Sequence, residues 1–448
     1  MTPSLITALS FGGALVLIAL RVPIAYALLL AAVSGLLFIY GWSPETGLSI
    51  EAASRPLISI LGDIPFHFVH SYELSTIPLY LLVGTLAQAS GITTDIFASM
   101  RVIVGRMPGG LAISTIFGCG GFSALSGSSV ACAAAMGRIT VPEMMDNGYS
   151  ARLASGTVAV GGTLGSLIPP SIAFLIFAIL AEQSVGRLLM AGIVPGLLTL
   201  LGYIITILVW VKLRPEAAPA YTAKPGRAEL FEALWRLWPA ALILTIIIGG
   251  ILSGLFTTIQ SAAVSVVVVI AIGAAQRRLP FRSIMGALND AVVQSAVIFV
   301  MAFGAKLLIT LVAISHLPDD LLAWASSMGF EPWAMMAIIV VTLLVMGMFL
   351  DPTGILLLMV PITLPIVEGM GFDLIWYAVI FVKMLEIGLI TPPVGLNAFV
   401  VKAAVPHRYG IDFRDVFAGI APFFILEIVV TALLLAFPVL SLFIPRMM

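Results

Sequence analysis

The chain has 448 residues, of which 61% are hydrophobic and only 10% charged, and its formal net charge is −1. A soluble globular domain is closer to half apolar and about a quarter charged. Apolar runs of about 18 or more residues recur from end to end, and each can cross the hydrocarbon of a bilayer. The composition therefore excludes a soluble globular domain and gives no bulk attraction to nucleic acid. It predicts an all-α polytopic membrane protein.

The first half of the chain, residues 1–222, predicts five membrane crossings and one helical hairpin. The stretch 110–141 is apolar, is broken at Ser126–Ser129 and is too short to cross twice, so it predicts a re-entrant hairpin. Pro169 and Pro170 interrupt the fourth crossing, because each proline removes a backbone donor and clashes with the preceding turn. The crossings are predicted near residues 4–21, 23–41, 75–91, 148–181 and 187–211.

The second half, residues 223–448, repeats this pattern when the sequence is shifted by 223 residues, the distance from Pro169 to Pro392. The same shift places Gly165 on Gly388. A second hairpin is predicted at 333–367, with its tip at Asp351–Gly354. The crossings are predicted near residues 237–256, 259–275, 290–315, 374–403 and 415–444.

Five crossings in each half is an odd number, so two related halves must lie inverted in the membrane, as in many secondary transporters. If residues 212–236 are cytoplasmic, most Lys and Arg residues fall on the inner side, as the positive-inside rule requires. Both termini are then periplasmic. The first hairpin enters from the cytoplasm and the second from the periplasm. The amphipathic stretch 45–73 is predicted to lie as an arm in the outer interface.

The four interruptions have a common explanation. Non-helical backbone at membrane depth is tolerated only where protein buries it or a water-filled cavity lines it. The interruptions expose helix ends, hydroxyls and one carboxylate, Asp351, and these hard oxygen ligands suit Na⁺. No His or Cys cluster suits a soft metal. We therefore expect the breaks to meet and to hold an ion and a substrate.

Several segments make the chain resemble the large membrane (M) subunit of tripartite ATP-independent periplasmic (TRAP) transporters over essentially its full length. The resemblance implies an elevator-type secondary transporter of the ion-transporter superfamily, located in the bacterial inner membrane, and not an enzyme. It implies Na⁺-driven uptake of an organic acid, such as a C4-dicarboxylate, sialic acid or another sugar or keto acid. The segments are "SGSSVACAAAMGRITVPEM", "GYSARLASGTVAVGGTLGSLIPPS", "EQSVGRLLMAGIVPG", "GMFLDPTG" and "LEIGLITPPVGLNAF".

The resemblance also implies two partners, a small four-helix membrane subunit and a soluble periplasmic binding protein that delivers the substrate. Two positions depart from the family pattern. Met384 occupies a position where family members often have Asn, and Phe177 lies near a position where they commonly have Tyr. Both changes are expected to alter the substrate pocket.

Site residues are assigned where each hairpin tip is expected to approach a Pro-Pro break. Hairpins and broken helices are expected to move as one unit against a scaffold that includes the arms. One Na⁺ site would use Ser126, Gly127 and Ser128 with Gly165 and Pro169. Its mate would use Asp351, Thr353 and Gly354 with Gly388, Thr391 and Pro392. The substrate contacts are predicted at Ser128, Ser129, Pro170, Ser171, Thr391, Pro393 and Asn397.

Several of these polar residues also have structural interpretations. Asp351 is an ion ligand, or the N-cap of a helix with proline at its first position. The serines at 126, 128 and 129 are likewise ligands or caps. Within predicted crossings, Thr157 and Thr163 are expected to back-bond to helix carbonyls.

The intramembrane charges have structural interpretations as well. Glu386 is expected to pair with Lys383, three residues away on one helix, rather than with substrate. Lys306 would either attract a carboxylate or pair with an acid that the sequence does not identify.

Three rival functions remain open. An H⁺-coupled or binding-protein-independent carboxylate carrier of the same superfold would rely on Asp351 and Glu386. An intramembrane serine protease would need a nucleophile with a His or Lys base, yet the chain has no G-x-S-x-G motif and no His in a predicted crossing. A passive channel is disfavoured by the paired breaks. Direct drive by ATP would need a P-loop motif, which the sequence lacks.

Overall fold

The computed structural model describes residues 2–219 and 226–448, and it is mostly helical, with one short antiparallel strand pair at Trp42–Ser43 and Gly47–Leu48. The helices of the first half are α1 (Pro3–Ala19), α2 (Ile24–Gly41), α3 (Ile50–Val69), α4 (Thr76–Ala89), α5 (Ile92–Val104), α6 (Gly110–Ser126), α7 (Ser129–Asp146), α8 (Ala151–Gly162), α9 (Ile172–Leu180), α10 (Val185–Ala191) and α11 (Ile193–Leu213).

The second half continues after the connection around residue 220. Its helices are α12 (Arg227–Arg236), α13 (Trp238–Leu244), a π-helical turn at Thr245–Gly249, α14 (Gly250–Leu252), α15 (Thr258–Ala275), α16 (Phe281–Ser315), α17 (Leu317–Ser327), α18 (Pro332–Gly347), α19 (Pro352–Gly369), α20 (Leu374–Ile390), α21 (Leu396–Ala404), α22 (Phe413–Ala436) and α23 (Val439–Leu442). Short 3₁₀ turns lie at Tyr72–Ser75, Thr163–Ser166, Pro215–Ala217, His407–Tyr409 and Pro445–Met447.

Within the described ranges, seven helical segments are long and apolar enough to cross a membrane, or eight if the bent pair α4 and α5 forms one crossing. The sequence predicts ten crossings. The other predicted crossings are α1, α4 and the two broken helices, and each of these is divided or stops short of 18 residues. Helix α19 passes the same test on length, although the sequence predicts it as part of a hairpin. Length alone therefore does not separate crossings from hairpin helices.

Helix bounds of the hairpins and broken helices nearly coincide in the two halves under the 223-residue shift. Shifting α7 gives residues 352–369, which are the bounds of α19, and shifting α9 gives residues within one position of α21. The Pro169–Pro170 and Pro392–Pro393 peptide bonds are both cis. The halves diverge where α3 and α4 are replaced by the single 35-residue helix α16. The predicted boundary between residues 222 and 223 lies outside the described residues.

The helical hairpins pack crosswise onto the broken helices. Helix α7 packs on α8 of its own half and on α21 of the other half, while α19 packs on α20 and on α9. Each broken helix is therefore held by hairpins from both halves. Outside this unit, α16 packs against α2 and α4, and α4 packs against α15.

Helix α3 occupies the stretch predicted as an arm. It runs over 20 residues despite Pro56 and Pro65, and it packs on α2 and α16. Its apolar residues concentrate on one face, and only Ala53 and Phe68 are buried. An exposed amphipathic helix of this kind suits an interfacial position.

Candidate functional site

The tip of the first hairpin, Ser126–Ser129, rests directly on the first Pro-Pro break. The Gly127 carbonyl accepts a hydrogen bond from the Ile172 amide at 3.4 Å. Gly127 has a φ of +64°, and a Cβ there would lie 2.5 Å from the Pro170 carbonyl oxygen. A Cβ on Gly165 would lie 2.7 Å from the Ser129 nitrogen. At both positions an added side chain would overlap backbone atoms of the neighbouring segment, so both positions require glycine.

A cluster of hydroxyls lies at this junction. Ser128 caps α7, and its Oγ accepts from the Ala131 amide at 3.4 Å. Ser129 is buried, donates to Glu386 Oε1 at 2.7 Å, and shares a 3.0 Å hydrogen bond with Ser166 Oγ. These contacts tie the first tip to α20 of the second half.

Two further serines at the junction differ in how they are satisfied. Ser171 caps α9 and donates to the Ser166 carbonyl at 2.6 Å. The Ser126 Oγ is buried and has no hydrogen-bond partner among the described residues. Ser126 is therefore the serine at this junction whose buried hydroxyl has no partner among the described residues.

The second tip is capped by a carboxylate. Asp351 Oδ2 accepts a 3.0 Å hydrogen bond from the Gly354 amide, and Pro352 occupies the first helical position of α19. The N-cap interpretation of Asp351 is confirmed; its role as an ion ligand stays a prediction.

The second break meets its hairpin at a different level. A Cβ on Gly388 would overlap the backbone of Gly347, four residues before the tip. Thr391 donates to the Ile387 carbonyl at 2.6 Å, while Pro392 and Pro393 are exposed. The second hairpin is therefore held at its first helix, whereas the first is held at its tip.

A cavity of about 340 Å³ lies between the two tips and helix α16. Of the predicted substrate residues, Ser128 and Ser129 line it, whereas Pro170, Ser171, Thr391, Pro393 and Asn397 do not. Of the predicted ion ligands, Gly127, Ser128, Asp351 and Thr353 line it. The remaining predicted ion ligands, Ser126, Gly165, Pro169, Gly354, Gly388, Thr391 and Pro392, are outside this lining.

Two polar side chains of the lining, Ser166 and Gln294, are absent from the predicted site residues. Ser166 lies within the first predicted break, next to Gly165. Gln294 lies on α16 in a crossing without a break, although a lone amide inside a long apolar crossing suggests a polar surrounding.

Three other residues with predicted roles lie away from this cavity. Asn397 is buried and donates to the Ala159 carbonyl at 3.3 Å, and its Oδ1 has no partner among the described residues. Phe177 is buried in an aromatic cluster with Tyr377 and Phe381. Met384 is also buried. The two departures from the family pattern therefore lie in the buried core and do not line the cavity.

The predicted pairing of Glu386 with Lys383 is wrong. Lys383 forms an ion pair with Glu427 on α22 and donates to Thr199 at 2.9 Å. Tyr203 also donates to Glu427. Glu427 lies deep in the apolar helix α22, and a carboxylate at such a position is a sequence signal for a buried partner.

The predictions for the remaining polar residues have mixed outcomes. Lys306 pairs with Glu182 at 2.7 Å, which identifies the missing acid. Thr163 back-bonds to the Val160 carbonyl at 2.7 Å, as predicted. The prediction for Thr157 is wrong, because its Oγ1 is buried without a partner among the described residues.

The sequence of the chain matches the family model described as "Tripartite ATP-independent periplasmic transporter, DctM component" over residues 11–440. It is 34% identical to the C4-dicarboxylate TRAP transporter large permease protein DctM of Pseudomonas aeruginosa, covering 69% of this chain and 72% of that protein. It is 30% identical to the sialic acid TRAP transporter large permease protein SiaM of Vibrio cholerae, covering 98% of each.

Solved structures agree on the fold. The YdaH transporter of Alcanivorax borkumensis superimposes with a TM-score of 0.66 at 14% identity, covering 98% of each chain. MtrF of Neisseria gonorrhoeae gives 0.65 at 13% identity, covering 98% of this chain and 95% of that one. The sequence relatives are transporter permeases and not enzymes, and together with the apolar helices they indicate a multi-pass inner-membrane protein. The chain belongs to the DctM-component family, as the large membrane subunit of a TRAP transporter.

Proposed function

We propose that the chain is the membrane subunit of a Na⁺-coupled secondary transporter that imports an organic acid delivered by a periplasmic binding protein. A small membrane subunit would complete the complex. The cavity between the two hairpin tips carries the proposal, since it brings helix ends, hydroxyls and a carboxylate together. Relatives named for C4-dicarboxylate, sialic acid and 2,3-diketo-L-gulonate support an organic acid as cargo.

The residues present fit Na⁺ as the co-transported ion. The unpartnered Ser126 hydroxyl and the backbone carbonyls around Gly127 and Gly165 supply neutral oxygens at the first tip. At the second tip, Asp351 adds a carboxylate. Among the described residues, no group of three or more His, Cys, Asp or Glu side chains could hold a metal ion. Hydroxyl and carbonyl oxygens would therefore form most of each ion site.

The packing supports an elevator mechanism. Hairpins and broken helices interlock across the two halves, so they would move as one body. Helix α16 lines the cavity and packs against α2 and α4, and α4 packs against α15. These helices would form the scaffold. Sliding of the interlocked unit along α16 would carry the cavity from one side of the membrane to the other. Both termini would lie in the periplasm.

Uptake into proteoliposomes tests the proposal. The chain is reconstituted with the small subunit and the binding protein from the same operon, and labelled organic acids are offered under an inward Na⁺ gradient or an inward proton gradient. We expect uptake that needs both Na⁺ and the binding protein. Uptake driven by protons without the binding protein would overturn the proposal.

A substitution locates the site. Ser128→Leu places a large apolar side chain in the cavity, and we expect it to abolish uptake while the protein still inserts and folds. Gly13→Leu is the control, because nothing lies within 4 Å of a Cβ at that position. Full uptake by the Ser128 variant would contradict the site.

Proton coupling is a second candidate, favoured by one observation. Glu386 is buried and its Oε2 has no hydrogen-bond partner among the described residues. A buried carboxyl with one free oxygen can carry a proton. Replacing Glu386 by Gln would abolish proton-driven uptake under this alternative, whereas Na⁺-driven uptake would keep its ion dependence.

A further inference from the structure

The cavity between the hairpin tips is polar on one side and apolar on the other. Ser128, Ser129 and Ser166 lie at the first tip. The facing wall on α16 presents Val293, Val297 and Met301, with Gln294 as its polar side chain. Such a cavity offers hydrogen bonds to one end of a small molecule and apolar surface to the rest.

No Lys, Arg or His side chain is among the residues that line this cavity. The buried ammonium of Lys383 is engaged by Glu427. The fixed charges near the cavity are carboxylates, with Asp351 in the lining and Glu386 directly behind Ser129. A second carboxylate on the cargo would lie against the apolar carbon of α16, where a charge loses its hydration.

The two helix ends at the cavity differ in how much positive potential they offer. Helix α19 is capped by the Asp351 carboxylate, which offsets the partial positive charge of its N-terminus. Helix α7 is capped by the neutral Ser128 hydroxyl. Together with the serine hydroxyls, the start of α7 therefore provides one position for an anionic group, at the first tip.

We propose that the cargo is a monocarboxylate with an apolar body and not a dianion. Its carboxylate lies at the serine cluster of the first tip, and its hydrocarbon part lies along α16. This substrate class rests on the proposed transport function, and its apolar body distinguishes it from the C4-dicarboxylates and the polar sugar acids for which the relatives above are named.

Two isosteric acids separate the possibilities. Succinate and 4-methylpentanoate differ only in that a terminal carboxylate is replaced by an isopropyl group. Binding of each labelled acid, and of labelled sialic acid, is measured by equilibrium dialysis in NaCl or choline chloride. The protein is the large subunit with its small subunit in lipid nanodiscs. We expect 4-methylpentanoate to bind in NaCl at least ~10-fold more tightly than succinate, about 1.4 kcal/mol.

A charge placed on the apolar wall sharpens the test. Gln294→Arg adds a cation opposite the serine cluster, and we expect it to reverse the preference toward succinate. Ala296→Arg is the matched control, because Ala296 is exposed two residues further along α16 and does not line the cavity. We expect the control to retain the wild-type preference.

Each remaining outcome has a distinct meaning. Tighter or equal binding of succinate by the wild-type protein overturns the monocarboxylate assignment and leaves Na⁺-coupled transport standing. Na⁺-dependent binding of sialic acid and of neither other acid also overturns the monocarboxylate assignment and leaves Na⁺-coupled transport standing. Na⁺-independent binding of 4-methylpentanoate overturns the Na⁺ coupling in the proposed function and leaves the assignment standing, whereas no binding of any of the three acids overturns the assignment.

Discussion

The two hairpin tips occupy matched positions in the sequence, yet they differ in chemistry and in how they are held. The first tip is neutral, capped by Ser128, and rests on its break through Gly127 and Gly165. The second tip carries Asp351, and its hairpin contacts the second break at Gly347. The hairpin helices α7 and α19 therefore have matching bounds under the 223-residue shift, while the tips before them differ in charge and in contacts.

The same difference continues behind the cavity. Under the 223-residue shift, Lys383, Glu386 and Glu427 correspond to Val160, Thr163 and Ile204. The second half thus supplies the three buried charges found among the described residues. Each charge contacts a hydroxyl of the first half: Lys383 contacts Thr199, Glu386 contacts Ser129, and Glu427 contacts Tyr203. The halves are held together by asymmetric contacts between charges and hydroxyls.

Removing one of these charges gives the largest expected effect. Lys383→Met leaves the Glu427 carboxylate buried without its ion-pair partner, which typically costs about 3–5 kcal/mol. We expect a large fall in the midpoint of thermal unfolding in detergent. Thermal unfolding followed by light scattering or intrinsic fluorescence measures it.

The double variant Lys383→Met with Glu427→Gln is the control, because it removes both charges. We expect it to recover most of the lost stability, since a buried pair can be replaced at little net cost. A double variant as unstable as the single one would show that packing, and not the uncompensated charge, dominates.

Much of the frame follows from the sequence, because backbone breaks leave strong local signals. The Pro-Pro pairs, Ser126–Ser129 and Asp351–Gly354 each mark a helix end, and the structure places helix ends at all of them. The N-cap interpretation of Asp351, one of the two that the sequence offers, rests on the same kind of local signal.

The partners of buried charges do not follow in the same way. The i, i+3 spacing on one helix favours an ion pair between Lys383 and Glu386, but in the folded protein Lys383 pairs with Glu427 on another helix. Tertiary packing decides which of several nearby groups a buried charge meets, and a local pattern contains no such information. A lone amide such as Gln294 in a long apolar crossing signals a polar surrounding, but not which elements form it.

The glycines at the two breaks give the next largest effect. Gly388→Ala places a methyl group against the Gly347 backbone, and Gly165→Ala places one 2.7 Å from the Ser129 nitrogen. Backbone atoms cannot move aside as a flexible side chain can. We therefore expect each substitution to lower the free energy of unfolding by about 1–3 kcal/mol and to reduce uptake strongly. Gly62→Ala, where nothing lies within 4 Å of a Cβ, is the control. If Gly388→Ala unfolded at the same temperature as the wild-type protein, the close contact of helices α18 and α20 would be contradicted.

Loss of the Ser129 hydroxyl tests the contact between the halves at the cavity itself. Ser129→Ala deprives Glu386 Oε1 of its donor and Ser166 Oγ of its partner, which we expect to cost about 1–3 kcal/mol. Adding Glu386→Gln removes the unsatisfied carboxylate and should recover part of that loss. A double-mutant cycle on thermal stability measures the coupling, and zero coupling would show that the hydrogen bond contributes nothing.

Exchanging the caps gives the smallest expected change in stability and tests the comparison most directly. Ser and Asp cap helices about equally well, so Ser128→Asp and Asp351→Ser should each shift the unfolding free energy by well under 1 kcal/mol. Ser128→Asp nevertheless adds a negative charge at the first tip, and Asp351→Ser removes the negative charge from the second tip. If the first tip receives the anionic group of the cargo, Ser128→Asp should weaken acid binding at least ~10-fold because like charges repel. Asp351→Ser should instead change the Na⁺ concentration needed for half-maximal uptake. Equal effects of both exchanges on acid binding would show that the two tips, despite their different chemistry, contribute alike.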